Sequence, residues 1–523
     1  MNALRSWLGR RGARSSALAV LVVLAVLAFA LAAAARPGGG SSYHGSSSSH
    51  GSYSGGHSGG YGGGGSSGGS GSGSGILAIF ELIVLCVEHP ILGLIVLLFF
   101  GGLYLSHAFQ SSNRRDWSTV QAAAAKAERA ADLRGQLEGL RRYDEAFSVI
   151  IFEDFVAALY ARVHAARAGG LDSFSAFLAP DALRALAAMG TPGLRSVSTV
   201  IVGALHFFRV DVQEGQAPGF NVGVEIEANY TETAANGAES AWYVREHWQM
   251  YRRASAPSRT PDKARVFACP SCGAPLDGVL QAKCRYCNKV VCTGEFDWVV
   301  ASIRLVERDA RGPMLTAETA EEGTDDPTIV APDARASYAA LERRDPALSW
   351  QAFERRVGQV FLEFQRAWAA CDLAAMRPFL SDNLFEVEQY WIRAYQAQKL
   401  RNVTQNARIT RLELARVTSD RFFDAITVRL FATGLDYTVR ADDYSRVICG
   451  SKTRERAYTE YWTFIRSTRK TGPAREGNVC PNCGAPLAVN MAGACTYCSA
   501  KVTSGDFDWV LSRIEQDESY EGG

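Results

Sequence analysis

Eight cysteines in two matched sets of four have the spacing of metal ligands. The sets are Cys269, Cys272, Cys284 and Cys287, then Cys480, Cys483, Cys495 and Cys498. In both, two CxxC pairs flank eleven residues, and the second set lies 211 residues after the first. Four thiolates from two CxxC turns suit tetrahedral zinc and leave no position open for a substrate. The sequence therefore predicts two structural zinc ions as cofactors.

Other chemistries for these cysteines fit the sequence less well. A redox-active disulfide needs only one CxxC pair. Nucleic-acid binding needs cations, but the intervening loops hold one lysine (273–283) and no basic residue (484–494), and the net charge is only +1. Cys292 would add a fifth thiol to the first set, yet the equivalent residue of the second copy is Thr503. Cys292 is therefore not predicted to be a ligand.

Two further sets of polar and aromatic residues repeat with the cysteines. Their members are Glu246, Trp248 and Arg252, then Glu460, Trp462 and Arg466. Even-numbered steps along a strand point to one side, so each set could line a pocket. Glu and Arg are six residues apart, roughly 20 Å along a strand, too far for a direct pair. A role in maintaining the fold is favoured over a binding pocket.

No catalytic arrangement stands out in the chain. His164 corresponds to Gln365 in the second copy, and no Ser-His-Asp or Cys-His pattern is evident. The sequence therefore predicts a protein that is not an enzyme. A small-molecule enzyme that uses one pocket stays open as an alternative.

The elements that carry these residues are duplicated too. Leu140–Ser148 aligns with Leu341–Ser349 at an offset of 201 residues. Apolar residues at helical spacing predict helices over Phe152–Ala168 and Pro180–Met189, and over Phe353–Ala370 and Ser381–Gln396. After the helices, apolar residues occur at every second position, as is typical of strands. They are Val222, Val224 and Ile226 in the first copy, and Ile426, Val428 and Leu430 in the second. Helices followed by antiparallel strands predict an α+β fold for each copy.

The second copy contains the motif Leu341-x-x-x-Asp345-Pro-x-x-Ser349, followed by Asp436-Tyr437 and Glu460-x-Trp462-x-x-x-Arg466. This motif resembles the Tim-type domain family, named for subunit forty-four of the mitochondrial inner-membrane translocase. The first copy matches less well, with Glu145 in place of Pro346. The resemblance implies two cystatin-like, or nuclear transport factor 2-like, cones with a hydrophobic pocket. It also implies binding at a membrane, whereas the tandem copies and the zinc ribbons depart from the mitochondrial protein.

The start of the chain has the composition of a membrane anchor. Residues 1–36 have four arginines ahead of an apolar run and predict a signal peptide or a first membrane helix. Residues 37–75 form a Gly/Ser-rich tether predicted to be disordered. Residues 76–107 form a second apolar segment, whose spanning part is predicted at about 90–107. Arg114 and Arg115 follow, so the rest is predicted to face the cytoplasm.

The remaining domain boundaries follow from these patterns. They are a helical linker at 116–145, a first Tim-type domain at 140–255, a first zinc ribbon at 264–305, an acidic linker at 308–338, a second Tim-type domain at 341–467 and a second zinc ribbon at 476–515. The linker helix has one apolar stripe, which either packs on its own domain or makes a homo-oligomer.

The combined prediction is a scaffold anchored in the bacterial inner membrane. It would recognise a protein, a peptide or a lipid through its duplicated, cytoplasm-facing Tim-type domains. The alternatives are a small-molecule enzyme and a nucleic-acid-binding zinc-ribbon protein, and nucleic acid is the least favoured partner.

Overall fold

The computed structural model describes residues 129–522, apart from 131, 216–217, 311, 313–314, 316–322, 475–476 and 518. The predicted signal peptide, tether and membrane segment at 1–36, 37–75 and 76–107 lie outside this range. Among the described residues, no helix has the length and apolarity needed to cross a membrane. All described residues belong to one compact unit.

The first module has two helices followed by a four-stranded antiparallel sheet. Its elements are α1 (Val149–Ala165), α2 (Pro180–Ala188), β1 (Leu194–Gln213), β2 (Gly219–Ala234), β3 (Glu239–Arg253) and β4 (Val299–Asp309). The strands lie in the order β1-β2-β3-β4.

The second module repeats this plan with longer helices. Its elements are α3 (Ala334–Arg344), α4 (Trp350–Ala370), α5 (Asp382–Ala397), β5 (Leu400–Ser419), β6 (Phe423–Arg440), β7 (Val447–Gly450), β8 (Arg456–Ser467) and β9 (Val510–Gln516). The sheet order is β5-β6-β8-β9, and the short β7 pairs with β6. Both modules are α+β, as the change of periodicity predicted.

Equivalent serines start the first long helix of each module. The Ser148 hydroxyl accepts a hydrogen bond from the Ile151 amide at 3.3 Å, and Ser349 does the same for Ala352 at 3.4 Å. Such caps satisfy amides that have no partner inside the helix. Both helices begin at the residue after the serine.

Each cysteine-rich segment is inserted between two neighbouring strands of a sheet. Beyond the first segment, β4 returns to pair with β3, with Met250 opposite Val300. In the second module β9 pairs with β8, and Phe464 lies opposite Leu511. Residues 299–305 and 510–515, placed in the ribbons by sequence, therefore lie in the sheets. Each ribbon is a long excursion from a sheet and not a separate domain after it.

The repeated Phe-Asp-Trp-Val sequence marks this return to the sheet. The Asp297 carboxylate accepts a hydrogen bond from the Trp298 amide at 2.8 Å, and Asp508 does the same for Trp509. Both tryptophans are buried in the core of their module. The repeat thus anchors the last strand of each sheet.

The described part of the linker helix packs into the core of the first module. Residues 132–138 are helical, and Leu137 and Leu140 are fully buried in the core of the first module. This part of the apolar stripe therefore packs on its own domain. Residues 116–128 of the predicted linker lie outside the described range.

The two modules also pack against each other. A small apolar cluster contains Ile151 and Ala264 from the first module, with Phe423, Ala425 and Ile465 from the second. Glu153 on α1 pairs with Arg513 on β9, and also with Arg134 at 3.0 Å. Arg265 forms two hydrogen bonds of 2.6 Å with Glu386 on α5. The duplicated modules therefore form one body.

Candidate metal centres

The two cysteine sets have the geometry that a zinc ion requires. Within each set, the four sulfur atoms lie within 4.8 Å of one another. The Sγ–Sγ distances are 3.9 and 3.8 Å for Cys269–Cys287 and Cys272–Cys284, and 3.8 and 4.0 Å for Cys480–Cys498 and Cys483–Cys495. Zinc–sulfur bonds of about 2.3 Å in a tetrahedron give edges of about 3.8 Å. Both sets therefore fit a metal ion such as zinc.

The backbone of every CxxC turn follows the same course. The residue after the second cysteine has a positive φ in all four: Gly273 (76°), Asn288 (60°), Gly484 (74°) and Ser499 (58°). In each turn, the amide of this residue donates to the carbonyl of the first cysteine, at 2.8–2.9 Å. The sequence pointed to the two glycines but not to Asn288 and Ser499, which adopt this conformation at a greater steric cost.

The first ribbon is continuous with the core of its module. Cys269 and Cys284 are buried, and with Val279 and Val291 they belong to the same apolar cluster as the helices and the sheet. The Ala282 amide also donates to the Ser175 hydroxyl at 3.0 Å. A metal ion held here would brace the module core directly.

The second ribbon is held by charged side chains. Arg377, which follows α4, donates to the Met491 carbonyl at 2.9 Å. Arg377 also pairs with Asp382, whose other oxygen binds Lys501 of the ribbon at 2.5 Å. The buried cysteines Cys480 and Cys495 form a small apolar cluster with Val502. The two ribbons thus dock by different contacts although their ligand sets are the same.

Cys292 lies outside the first ligand set, as the comparison of the copies predicted. Thr503, its equivalent in the second copy, is 3% exposed. Thr503 is therefore packed inside the second ribbon, and the fold does not need a thiol at this position.

The repeated Glu-Trp-Arg sets are buried in the modules. All six side chains are at most 1% exposed. The Trp248 indole donates to Glu246 at 2.8 Å, and Trp462 donates to Glu460 at 2.9 Å. None of the six lines the cavity between the modules or the small cavity beside Phe152. These contacts support the fold-maintaining role.

The two arginines of these sets find their partners elsewhere in the module. Arg252 pairs with Asp144 at 2.5 Å, and Arg466 pairs with Asp345 at 2.9 Å. Their guanidinium groups lie 5.1 and 4.6 Å from the ring centres of Trp298 and Trp509. Each arginine therefore joins the start of its module to the strand that returns from the ribbon.

One His–carboxylate pair appears that the sequence did not predict. His164 Nε2 lies 3.3 Å from Glu246 Oε1, and both side chains are fully buried. The Tyr160 hydroxyl donates to the same oxygen at 3.0 Å. Burial opposes ionisation of Glu246, but His164 and the donated hydrogen bonds hold the pKa of this carboxyl below its usual value. The pair needs His164, which the second copy lacks, so the repeat pattern gave no signal for it.

The remaining motif residues of the second module also make structural contacts. Asn402 donates to Asp436 at 2.8 Å and accepts a hydrogen bond from the Trp368 indole at 2.9 Å. The neighbouring Tyr437 is buried in a small cluster with Val403 and Val439. The motif therefore includes residues that pack the second module together.

Comparison with known proteins finds a family match for the second module. A family model described as the Tim44-like domain matches residues 334–474. No curated protein matches the chain. A solved structure described as an Ntf2 like protein involved in plasmid conjugation is 9% identical, with 70% of this chain and 94% of that chain covered. Its TM-score is 0.17, too low to establish a shared fold. The second module of this chain is therefore similar to the Tim44-like domains.

Proposed function

We propose that this chain is a membrane-anchored scaffold that binds a partner protein through two copies of one ribbon surface. The observation that carries the proposal is a pair of exposed tyrosines. Tyr286 and Tyr497 occupy the same position within the second CxxC turn of each ribbon, and they are 62% and 64% exposed.

Other exposed apolar side chains accompany each tyrosine. The first ribbon exposes Leu280 and Val290, and the second exposes Val479 and Met491. Leu280 and Met491 occupy equivalent positions in the two ribbons, 211 residues apart. Aromatic residues and methionine are enriched in protein interfaces. We call each group, with its tyrosine, a ribbon face.

Two such faces on one body favour bivalent binding. The second contact forms at a high effective concentration once the first has formed, so two weak faces can give strong overall binding. The metal-bound turns would hold each tyrosine in position, because a structural zinc site fixes the backbone around it.

An enzyme is less well supported by the described residues. Four protein thiolates leave no coordination position for a substrate. His164 and Glu246 are fully buried, and neither lines the cavity between the modules or the small cavity beside Phe152. Recognition is therefore the function that this arrangement favours.

Site-specific photocrosslinking in intact cells tests the proposal. A photoreactive amino acid replaces Tyr286 or Tyr497 in the full chain, and the exposed Tyr444 of the second module serves as the control position. We expect a protein adduct at both ribbon positions and none at Tyr444. Adducts at Tyr444 alone, or ribbon adducts with lipid only, would contradict the proposal.

Substitution of the tyrosines provides the quantitative test. Tyr286→Ser or Tyr497→Ser should weaken capture of the crosslinked protein, and the double variant should lose far more than either single one. Metal content should stay unchanged, because both side chains are exposed. Equal capture by the wild type and the double variant would contradict the proposal.

The membrane anchor is the second part of the proposal. It rests on the apolar segments at 1–36 and 76–107 and on Arg114 and Arg115. Protease added to the periplasmic side of spheroplasts should leave both ribbons intact. Digestion of the ribbons without lysis would place them on the wrong side of the membrane.

A further inference from the structure

A cavity of about 150 Å³ lies between the two modules. Helix α1 and strand β1 of the first module form one wall, with Ile150, Asp154 and Val202 among the lining residues. Helix α5 and strand β9 of the second module form the opposite wall, with Val387 and Ile514. A cavity of this size can hold a small organic molecule.

Glu388 on α5 lines this cavity and is only 1% exposed. Neither of its carboxylate oxygens has a hydrogen-bond partner among the described residues. The equivalent residue of the first module, 202 positions earlier, is the buried Leu186. Since an apolar side chain suffices at this position, the fold does not require an acid there.

The other charged side chains around the cavity have partners. Glu153 pairs with Arg134 and Arg513, and Asp154 accepts a hydrogen bond from Asn383. Arg416 pairs with Glu138 at 3.0 Å, His206 lies 3.6 Å from Glu521, and Glu515 lies 3.8 Å from Arg513. No cation is therefore left over for Glu388 among the described lining residues.

We propose that this cavity binds a small organic monocation, a short alkylammonium, whose ammonium group pairs with Glu388. The alkyl chain would lie against Ile150, Val387 and Ile514. A buried carboxylate without a partner is costly, and an ammonium ion supplies both a charge and hydrogen-bond donors. A divalent metal ion fits less well, because calcium and magnesium need about six oxygen ligands.

The electrostatics of the cavity agree with a cationic ligand. Burial raises the pKa of Glu388 to about 8, and the Glu460 carboxylate behind it adds to the shift. Burial also raises the pKa of Asp154 to about 7 and that of Glu515 above its usual value, although arginines oppose both shifts. Of these three carboxyls, Glu388 is the one with no cation beside it among the described residues, and a bound ammonium would supply that charge.

Isothermal titration calorimetry of the detergent-solubilised full chain with n-butylammonium tests this proposal, and 1-butanol is the uncharged control. Butylammonium stays charged up to pH 9, since alkyl ammonium groups have a pKa of about 10.4. Glu388 must ionise to bind it, so affinity should rise about tenfold from pH 7 to pH 9. Butanol should bind more weakly and without this pH dependence.

Two substitutions of Glu388 isolate its contribution. Glu388→Gln keeps the size, and Glu388→Leu restores the residue type of the first module. Both should weaken butylammonium binding at pH 9 at least tenfold, whereas Glu455→Gln, which lies outside the cavity, should leave it unchanged. An absence of saturable binding by the wild type, equal binding of butanol, or unchanged binding by both Glu388 variants would overturn the proposal. The site is independent of the ribbon faces, so either proposal can fail without the other.

Discussion

At the level of single residues, one buried ion pair in each module joins two residues that are far apart in the sequence. Arg466 and Asp345 are 1% and 4% exposed, and the Asp345 carboxylate also accepts hydrogen bonds from the Gly472 amide at 3.0 Å. Removal of one member leaves the other charge buried without compensation. Such a loss is far more costly than the net contribution of the intact pair.

Asp345→Asn should therefore lower the free energy of unfolding by about 3–5 kcal/mol. The matched control is Glu455→Gln, which breaks the exposed pair with Arg408 and should cost far less, because solvent screens such a pair. Urea denaturation of the purified full chain measures both. Equal losses in the two variants would show that the Asp345–Arg466 pair has no special structural role.

Because of Glu388, the free energy of unfolding should fall as the pH rises. An acid held in an ion pair has the opposite effect. The pKa of Glu388 is about 8 in the folded chain, against a usual value of 4.5. Between these values the unfolded chain has lost the proton that the folded chain retains, so wild-type stability falls as pH rises. Glu388→Leu lacks this penalty.

The stability of Glu388→Leu relative to the wild type should therefore increase from pH 5 to pH 8 and then level off. Denaturation at four pH values with both proteins measures this difference. A difference that does not change with pH would mean that Glu388 titrates normally in the folded chain.

At the level of elements, the chain leaves each sheet to form a ribbon and then returns as the next strand of the same sheet. Strand β4 depends on the ribbon for its entry point, and Trp298 anchors it in the core. Loss of metal should therefore loosen the strand as well as the ribbon.

Cys272→Ser should speed up hydrogen exchange in Val299–Asp309 by at least tenfold. Strand β9 in the second module, which follows the intact ribbon, provides the internal control and should stay protected. Unchanged exchange in β4 would indicate that the first ribbon is an independent appendage.

The sequence predicted these elements to the extent that their signals are local. Periodicity identified α1, α4 and the alternating strands, and the CxxC spacing identified both clusters of four cysteines. The return strands were not recognised, because their pairing with β3 and β8 crosses more than 40 residues. The Phe-Asp-Trp-Val repeat was visible in the sequence, but its role as the anchor of the last strand was not.

At the level of the whole molecule, contacts unique to one copy join the modules. Glu153 and Asp154 on α1 meet Arg513 and Asn383 of the second module. A comparison of the copies finds only what is duplicated, so it could not reveal this interface or the cavity behind it. Glu388 was missed for the same reason, since its counterpart is Leu186.

The interface should make the two modules unfold together. Burial opposes ionisation of Glu153, but Arg513 and Arg134 hold the pKa of this carboxyl below its usual value, so the contact persists at neutral pH and is lost on strong acidification. In scanning calorimetry at pH 7 the wild type should show one transition. Glu153→Gln should separate it into two, whereas Glu363→Gln on the exposed side of α4 should not. Two independent transitions in the wild type would contradict the account of one body.

The most direct test of the duplicated, metal-braced scaffold is the metal content of the purified full chain. Mass spectrometric analysis should find two zinc ions per chain in the wild type. Cys272→Ser and Cys483→Ser should each leave one ion, and the double variant none. A wild-type chain with fewer than two ions, or zinc that persists in the double variant, would contradict the central claim.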